Sequence, residues 1–364
     1  MTKYKLLTPG PLTTTQSVKQ AMMVDHCTWD KEYKIITREI CNDLLELALC
    51  SKDEYSVVLM QGSGTFGVES VITSSVGEGE KILICSNGAY GERMCKIAEY
   101  GKIPYINYKE EYDNVPNATK VEEILIGNPD ITHIAMVHSE TTSGILNPVL
   151  PISSLAKKYG KTFILDAMSS FGGVEFDVAN QNVDILISSA NKCIQGVPGF
   201  SFVIGRREAL EACKGKARSL SLDLYSQWET LEKDDKWRFT SPTHVVLAFG
   251  QAIKELKDEG GITKREERYR ENNEMLIAGM EAMGFKSFVK KERQSPIITT
   301  FYYPPNQNIV FDDFYKYIKN RGYAIYPGKL TEADTFRIGN IGEIYKDDIA
   351  KILSIIGDYL EEVK

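Results

Sequence analysis

Four short segments of this chain combine residue types used in covalent and acid–base chemistry, and each follows directly on an apolar run. The first, Gln61-Gly62-Ser63-Gly64-Thr65-Phe66-Gly67, follows YSVVLM. A glycine-rich turn feeding a helix gathers free backbone N–H groups at the positive end of the helix dipole, and the Ser63 and Thr65 hydroxyls add donors, so the segment reads as a phosphate cup. The same letters satisfy G-x-G-x-x-G between strand and helix, which keeps a dinucleotide site open. The second, Ser86-Asn87-Gly88-Ala89-Tyr90-Gly91 after KILIC, sets an aromatic ring on a loop where it can stack on a flat heterocycle. The third, SETTSG at 139–144 after HIAMVH, is a hydroxyl-rich turn able to bond a phenolate oxygen, or ordinary turn chemistry. In the fourth, Ser189-Ala190-Asn191-Lys192-Cys193 and the glycine-rich residues up to Gly199 follow DILIS, leaving one lysine between a strand and a turn. Desolvation there disfavours the ammonium and lowers its pKa toward a nucleophilic amine suited to Schiff-base formation, the alternative being a surface lysine.

A carboxylate completes the set. Asp166 ends the apolar run TFILD, and burying it without a cation or donor costs several kcal/mol or so, which implies a partner. A phosphate cup, a stacking ring, a hydroxyl turn, an acid and a lysine 26 residues after that acid together match the needs of pyridoxal phosphate. The lysine forms the imine and the acid keeps the pyridine nitrogen protonated, so that the ring accepts electrons. A dinucleotide accounts for the first feature alone.

The elements that must position these residues are legible as a series. β-rich runs stand at 55–60, 81–85, 103–108, 133–138, 162–166, 184–188 and 200–204, several of them apolar on both faces. Strands of that kind are covered by helices on both sides, and helical patterns at 65–76, 91–100, 121–126 and 152–159 separate most of them, which predicts a mostly parallel α/β sheet. Ligands of such folds lie beyond the carboxyl ends of the strands, where all five segments fall. After about residue 243 a charged, helix-rich stretch, broken at Gly260-Gly261, leads to short strands and a terminal helix over 346–363. The expected division is an N-terminal segment 1–18 near the active site, a large cofactor-binding domain 19–252 and a small C-terminal α+β domain 253–364.

Composition sets the outer limits. The 364 residues carry 43 Lys+Arg against 50 Asp+Glu, a net charge of -7, with 43% hydrophobic and 26% charged residues. This is a globular composition with room for about two domains, and its mild acidity disfavours nucleic acid as a partner. No apolar run approaches the ~20 residues of a membrane span, and the start MTKYKLLTPGPLTTTQ has no stretch of signal-peptide length, so the expected compartment is the cytosol. Seven scattered cysteines, none in C-x-x-C, read as reduced thiols, and the four histidines show no metal-ligand spacing.

The chain resembles the class V aminotransferases among the fold-type I pyridoxal-phosphate enzymes. The resemblance rests on LLTPGPLTT at 6–14, CTWD at 27–30, LMQGSGT at 59–65, SNGAYG at 86–91, HIAMVHSETTSG at 133–144, DAMSSFGG at 166–173, SSANKCIQGVPGF at 188–200, RSLSLDLY at 218–225, KWRFTSPTH at 236–244, YPGK at 326–329 and FRIGNIGE at 336–343. It implies the family's fold, a large domain with a mostly parallel seven-stranded sheet and a smaller C-terminal domain. Lys192 is implied as the Schiff-base lysine and proton carrier, and Asp166 as the partner of the pyridine nitrogen. Ser63, Gly64 and Thr65 are implied at the phosphate, Tyr90 on the ring, Thr141 at the phenolate oxygen, with Ser189 in the cofactor set. Thr240 is implied to reach the phosphate in the neighbouring subunit, which makes a homodimer with shared active sites, and Arg337 to fork onto the substrate anion. The implied reaction moves the amino group of 2-aminoethylphosphonate to pyruvate by a ping-pong route. An alanine:glyoxylate type transaminase, a nicotinamide oxidoreductase and a cofactor-binding protein without turnover stay open at this point.

Overall fold

A computed structural model describes residues 4–305, 307, 309–328, 330 and 334–362. Seven strands form the main sheet: β1 (Tyr55–Gln61), β2 (Lys81–Ser86), β3 (Tyr105–Lys109), β4 (Ile131–Val137), β5 (Thr162–Asp166), β6 (Ile185–Ser189) and β7 (Phe200–Arg206). Their spatial order is β1-β7-β6-β5-β4-β2-β3. Neighbours pair in parallel from β6 across to β3, whereas β7 runs antiparallel to both β6 and β1. The apolar runs become buried strands because helices cover both faces, and Ile82, Ile134, Phe163, Leu186 and Phe202 are wholly inaccessible. The expected strands and helices shift by a few residues at their ends: the 133–138 run is Ile131–Val137, and the 103–108 run starts only at Tyr105.

A second, four-stranded antiparallel sheet is built from β8 (Lys286–Ser287), β9 (Ile298–Tyr302), β10 (Tyr326–Pro327) and β11 (Thr335–Gly339), in the order β8-β9-β11-β10. It packs its own apolar core, which includes Phe301, Phe314, Phe336 and Ile352. The terminal helix is Lys346–Glu362, and the Val363 of the expected span lies outside the described residues, as does Lys329 of YPGK. Gly260, at φ +107, ends helix Thr243–Glu259 and precedes helix Gly261–Ala282. The first of these helices crosses residue 252 and buries Val246, Phe249, Ile253 and Leu256 in the larger core. The N-terminal segment is tied to the C-terminal part: Lys5–Leu6 pairs in parallel with Tyr323–Ala324, and Gly339 N–H donates to Leu7 O at 3.0 Å. Among the described residues no helix is long and apolar enough to cross a membrane.

Candidate active site

Because β1, β2, β4, β5 and β6 run the same way, the segments after them gather at one sheet edge. There Ser63, Gly64, Thr65, Tyr90, Asp166, Ser189 and Lys192 line a single cavity of about 200 Å³. Ser63 is the N-cap of helix Gly64–Ser75, yet its side chain caps no backbone N–H, so the first turn keeps donors for a ligand. Gly62 turns the chain into that helix at φ +112. A Cβ on Gly64 would run into the Met168 thioether, so a larger residue would close the cup. Ser189 Oγ is buried with no hydrogen-bond partner among the described residues, and an unmet buried hydroxyl calls for an acceptor from a ligand. A cup of N–H and O–H donors beside a lysine, a ring and a carboxylate therefore fits pyridoxal phosphate.

Asp166, at the end of β5, is 4% exposed and accepts the Met168 N–H at 2.8 Å. Burial pushes its carboxyl up from 3.8 to about 6; the Met168 N–H pulls the other way, Glu140 adds to the rise, and Lys192 and Arg93 oppose it. Such a carboxylate is ready for a cation. Lys192 stands three residues beyond β6, and its Nζ donates to Pro9 O at 2.7 Å, so the N-terminal segment closes over it. Desolvation lowers the Lys192 pKa and Arg337 acts in the same sense, while Tyr90, Cys193 and Asp166 oppose them. A larger neutral fraction is what a nucleophile and proton carrier requires.

The remaining sequence-derived residues do not line this cavity. Thr141 does not line it, although its Oγ1 is buried without a partner among the described residues. Arg337, in β11 and 6% exposed, donates from Nη1 to Thr141 O at 2.8 Å and from Nε to Pro327 O at 3.0 Å. Desolvation lowers its pKa, and among the described residues no carboxylate forms an ion pair with it. Thr240 is exposed and lines a different hollow of about 360 Å³ with Tyr33 and Trp237.

Sequence reasoning passed over Arg93, Glu140 and Met168. Arg93 lines the cavity, donates to Thr65 Oγ1 at 3.2 Å and lies 4.9 Å from the centre of the Tyr90 ring. Its i+3 spacing from Tyr90 was the available signal. Glu140 is wholly buried and accepts Tyr90 N–H at 3.1 Å, Gly91 N–H at 3.3 Å and Thr142 N–H at 3.0 Å, which fixes the entry of helix Ala89–Tyr100 against the SETTSG turn. Like Asp166 it is a carboxylate just beyond an apolar strand, and burial raises its pKa.

The family model described as aminotransferase class V matches residues 36–336. The chain is 53% identical over 99% of its length to 98% of a 2-aminoethylphosphonate–pyruvate transaminase of Lysinibacillus sphaericus, and 54% identical over 98% of its length to 97% of the like-named protein of Bacillus cytotoxicus. Its fold is similar to that of an alanine–glyoxylate aminotransferase from Nostoc sp., with a TM-score of 0.91, 23% identity and coverage of 99% of this chain and 96% of that one. With a family match over most of its length and relatives of such identity, the chain belongs to the class V aminotransferases.

Proposed function

We propose that the protein transfers the amino group of 2-aminoethylphosphonate to pyruvate, giving phosphonoacetaldehyde and L-alanine, a step of phosphonate degradation. The observation that carries this reading is identity of 53% and 54% across nearly the whole chain to proteins named for that reaction. Class V aminotransferases work with pyridoxal 5′-phosphate, which when bound supplies a carbonyl to take up the amino group and a ring to accept an electron pair. Ser63, Gly64, Thr65 and Ser189, with Thr240 of the partner subunit, would hold its phosphate. Tyr90 would cover the ring, Thr141 would bond the phenolate oxygen and Asp166 the ring nitrogen. Lys192 Nζ would take the proton from the carbon bearing the amine and deliver it to the carbon that began as the cofactor's carbonyl, completing the 1,3-shift. Arg337 grips the phosphonate in one half-reaction and the pyruvate carboxylate in the other, since its planar fork matches both anions. The donor has no carboxylate on the reacting carbon, so a C–H bond is the one broken.

The reading includes a homodimer, supported by the exposed position of Thr240 outside its own chain's cavity. It includes a cytosolic setting, supported by seven free cysteines, four of them buried. The reading keeps an N-terminal segment 1–18, a cofactor-binding domain 19–252 and a small domain 253–364; separate apolar cores support two bodies, although Ile253 and Leu256 of the helix at the border belong to the larger core. Product analysis tests the function. With both substrates, alanine and phosphonoacetaldehyde should accumulate one to one; faster turnover of alanine with glyoxylate would favour the alternative transaminase.

A further inference from the structure

The turn that carries Lys192 is held from a distant part of the chain. Gln195 N–H donates to Lys192 O at 2.7 Å and Gly196 N–H to Ala190 O at 2.9 Å, closing a tight turn. Gln195 completes it at φ +69, a left-handed conformation unfavourable for a residue with a side chain. Its amide Nε2 donates to Tyr269 Oη at 2.7 Å, both groups being buried. One helical turn earlier, Arg265 Nη1 donates to Cys193 O at 2.9 Å and Ile194 O at 3.3 Å, the carbonyls that directly follow Lys192. Arg265 is 2% exposed and pairs at 2.7 Å with Glu259, a carboxylate that it shares with Arg268. Cys193 and Tyr269 share a small apolar cluster with Leu12 and Ile341. Helix Gly261–Ala282, which carries Arg265 and Tyr269, also meets the residue that follows β11. Asn340, next after β11, donates from Nδ2 to Tyr269 O at 3.0 Å, and Asn273 Nδ2 donates to Asn340 Oδ1 at 3.3 Å. One helix thus grips both the Lys192 turn and the end of the strand bearing Arg337.

From this geometry we infer that Arg265 is a positioning residue for amino transfer: through the Cys193 and Ile194 carbonyls it sets where Lys192 Nζ stands relative to the Arg337 strand. The inference rests on the role proposed for Lys192. Proton transfer is sensitive to displacement of the carrier, whereas substrate binding through Arg337 does not pass through this turn.

The test compares wild type, Arg265→Met, Arg265→Lys and Tyr269→Phe as cofactor-loaded enzymes and in cofactor-free form. Arg265→Met should lower kcat by about 10- to 100-fold and leave KM for both substrates within about threefold, the pattern of a lost transition-state arrangement. Arg265→Lys should recover part of kcat, because an ammonium reaches one carbonyl where the guanidinium reaches two. In the cofactor-free protein, amide hydrogen exchange over 192–196 should quicken by about tenfold or more in Arg265→Met while β4 and β5 keep their protection. Tyr269→Phe removes the acceptor of Gln195 without uncovering a buried charge, and should show a milder form of both changes. The inference is overturned if kcat holds while only thermal stability falls, or if exchange quickens uniformly. It is equally overturned if Arg265→Met fails to fold while Tyr269→Phe matches wild type in kcat and exchange. A failure of the proposed function would appear in the wild type itself, whereas a failure of this inference appears only as absence of difference between wild type and variants.

Discussion

At the residue scale, the site sets ionisable groups where water would otherwise oppose them. Asp166 shows the consequence for stability. Its carboxyl rises from 3.8 to about 6, so between those values the folded cofactor-free protein keeps a proton that the unfolded chain releases, and stability falls as pH rises through that window. Asp166→Asn, which keeps an acceptor for the Met168 N–H, should stabilise the cofactor-free protein at pH 8 by on the order of 2–3 kcal/mol, the gain fading toward pH 4. Thermal melts at the two pH values check this. In the loaded enzyme the same change should lower turnover by about two or three powers of ten, because the ring nitrogen loses its counter-charge. Arg337→Ala should depress kcat/KM for both 2-aminoethylphosphonate and pyruvate by a similar amount, with partial recovery in Arg337→Lys. Kinetics of the separate half-reactions would expose a loss confined to one substrate, which would place the other anion elsewhere. Asp166 and Lys192 were legible because each stands at the end of an apolar run. The Pro9 carbonyl was not, since its importance comes from a contact with Lys192 that no local pattern announces, and Arg93 offered only its i+3 spacing from Tyr90, with no hint of its bond to Thr65.

At the element scale, strand ends do most of the positioning, and the N-terminal segment completes it. Gly10 sits at φ +116, and a Cβ there would stand 2.7 Å from Lys192 Cδ and 2.8 Å from Nζ. Both the backbone and the lysine oppose a side chain at this position. Gly10→Ala should therefore lower kcat by about tenfold or more while the large sheet stays folded, because the segment or the lysine must move. Circular dichroism paired with steady-state kinetics measures the two effects separately, and full turnover in the variant would show that the segment is not part of the site. The buried strands were readable from their two-sided apolar character. The reversed direction of β7 was not, because pairing direction depends on the chain's path rather than on side-chain type. The border placed between residues 252 and 253 meets a similar limit: helix Thr243–Glu259 runs across it, since one amphipathic helix can pack on one domain and lead into the next.

At the scale of the whole molecule, the proposed site needs two chains. If Thr240 acts across the boundary, mixing Thr240→Ala chains with Lys192→Ala chains creates heterodimers with one site that has both an intact lysine and an intact threonine, and native activity returns at that site. Activity no higher than that of Thr240→Ala alone would assign the threonine to its own subunit. The exposed Thr240 and the part-buried Lys192, in separate hollows of one chain, are the features that this mixing experiment joins. The most direct measurement on the central claim is a single-turnover titration of the loaded enzyme without pyruvate. Adding 2-aminoethylphosphonate should bleach the yellow absorbance and release about one phosphonoacetaldehyde per site, and pyruvate should then restore the colour with one alanine formed. An unchanged spectrum with no aldehyde released, from protein whose cofactor is shown by borohydride reduction to sit on Lys192, would contradict the proposed reaction.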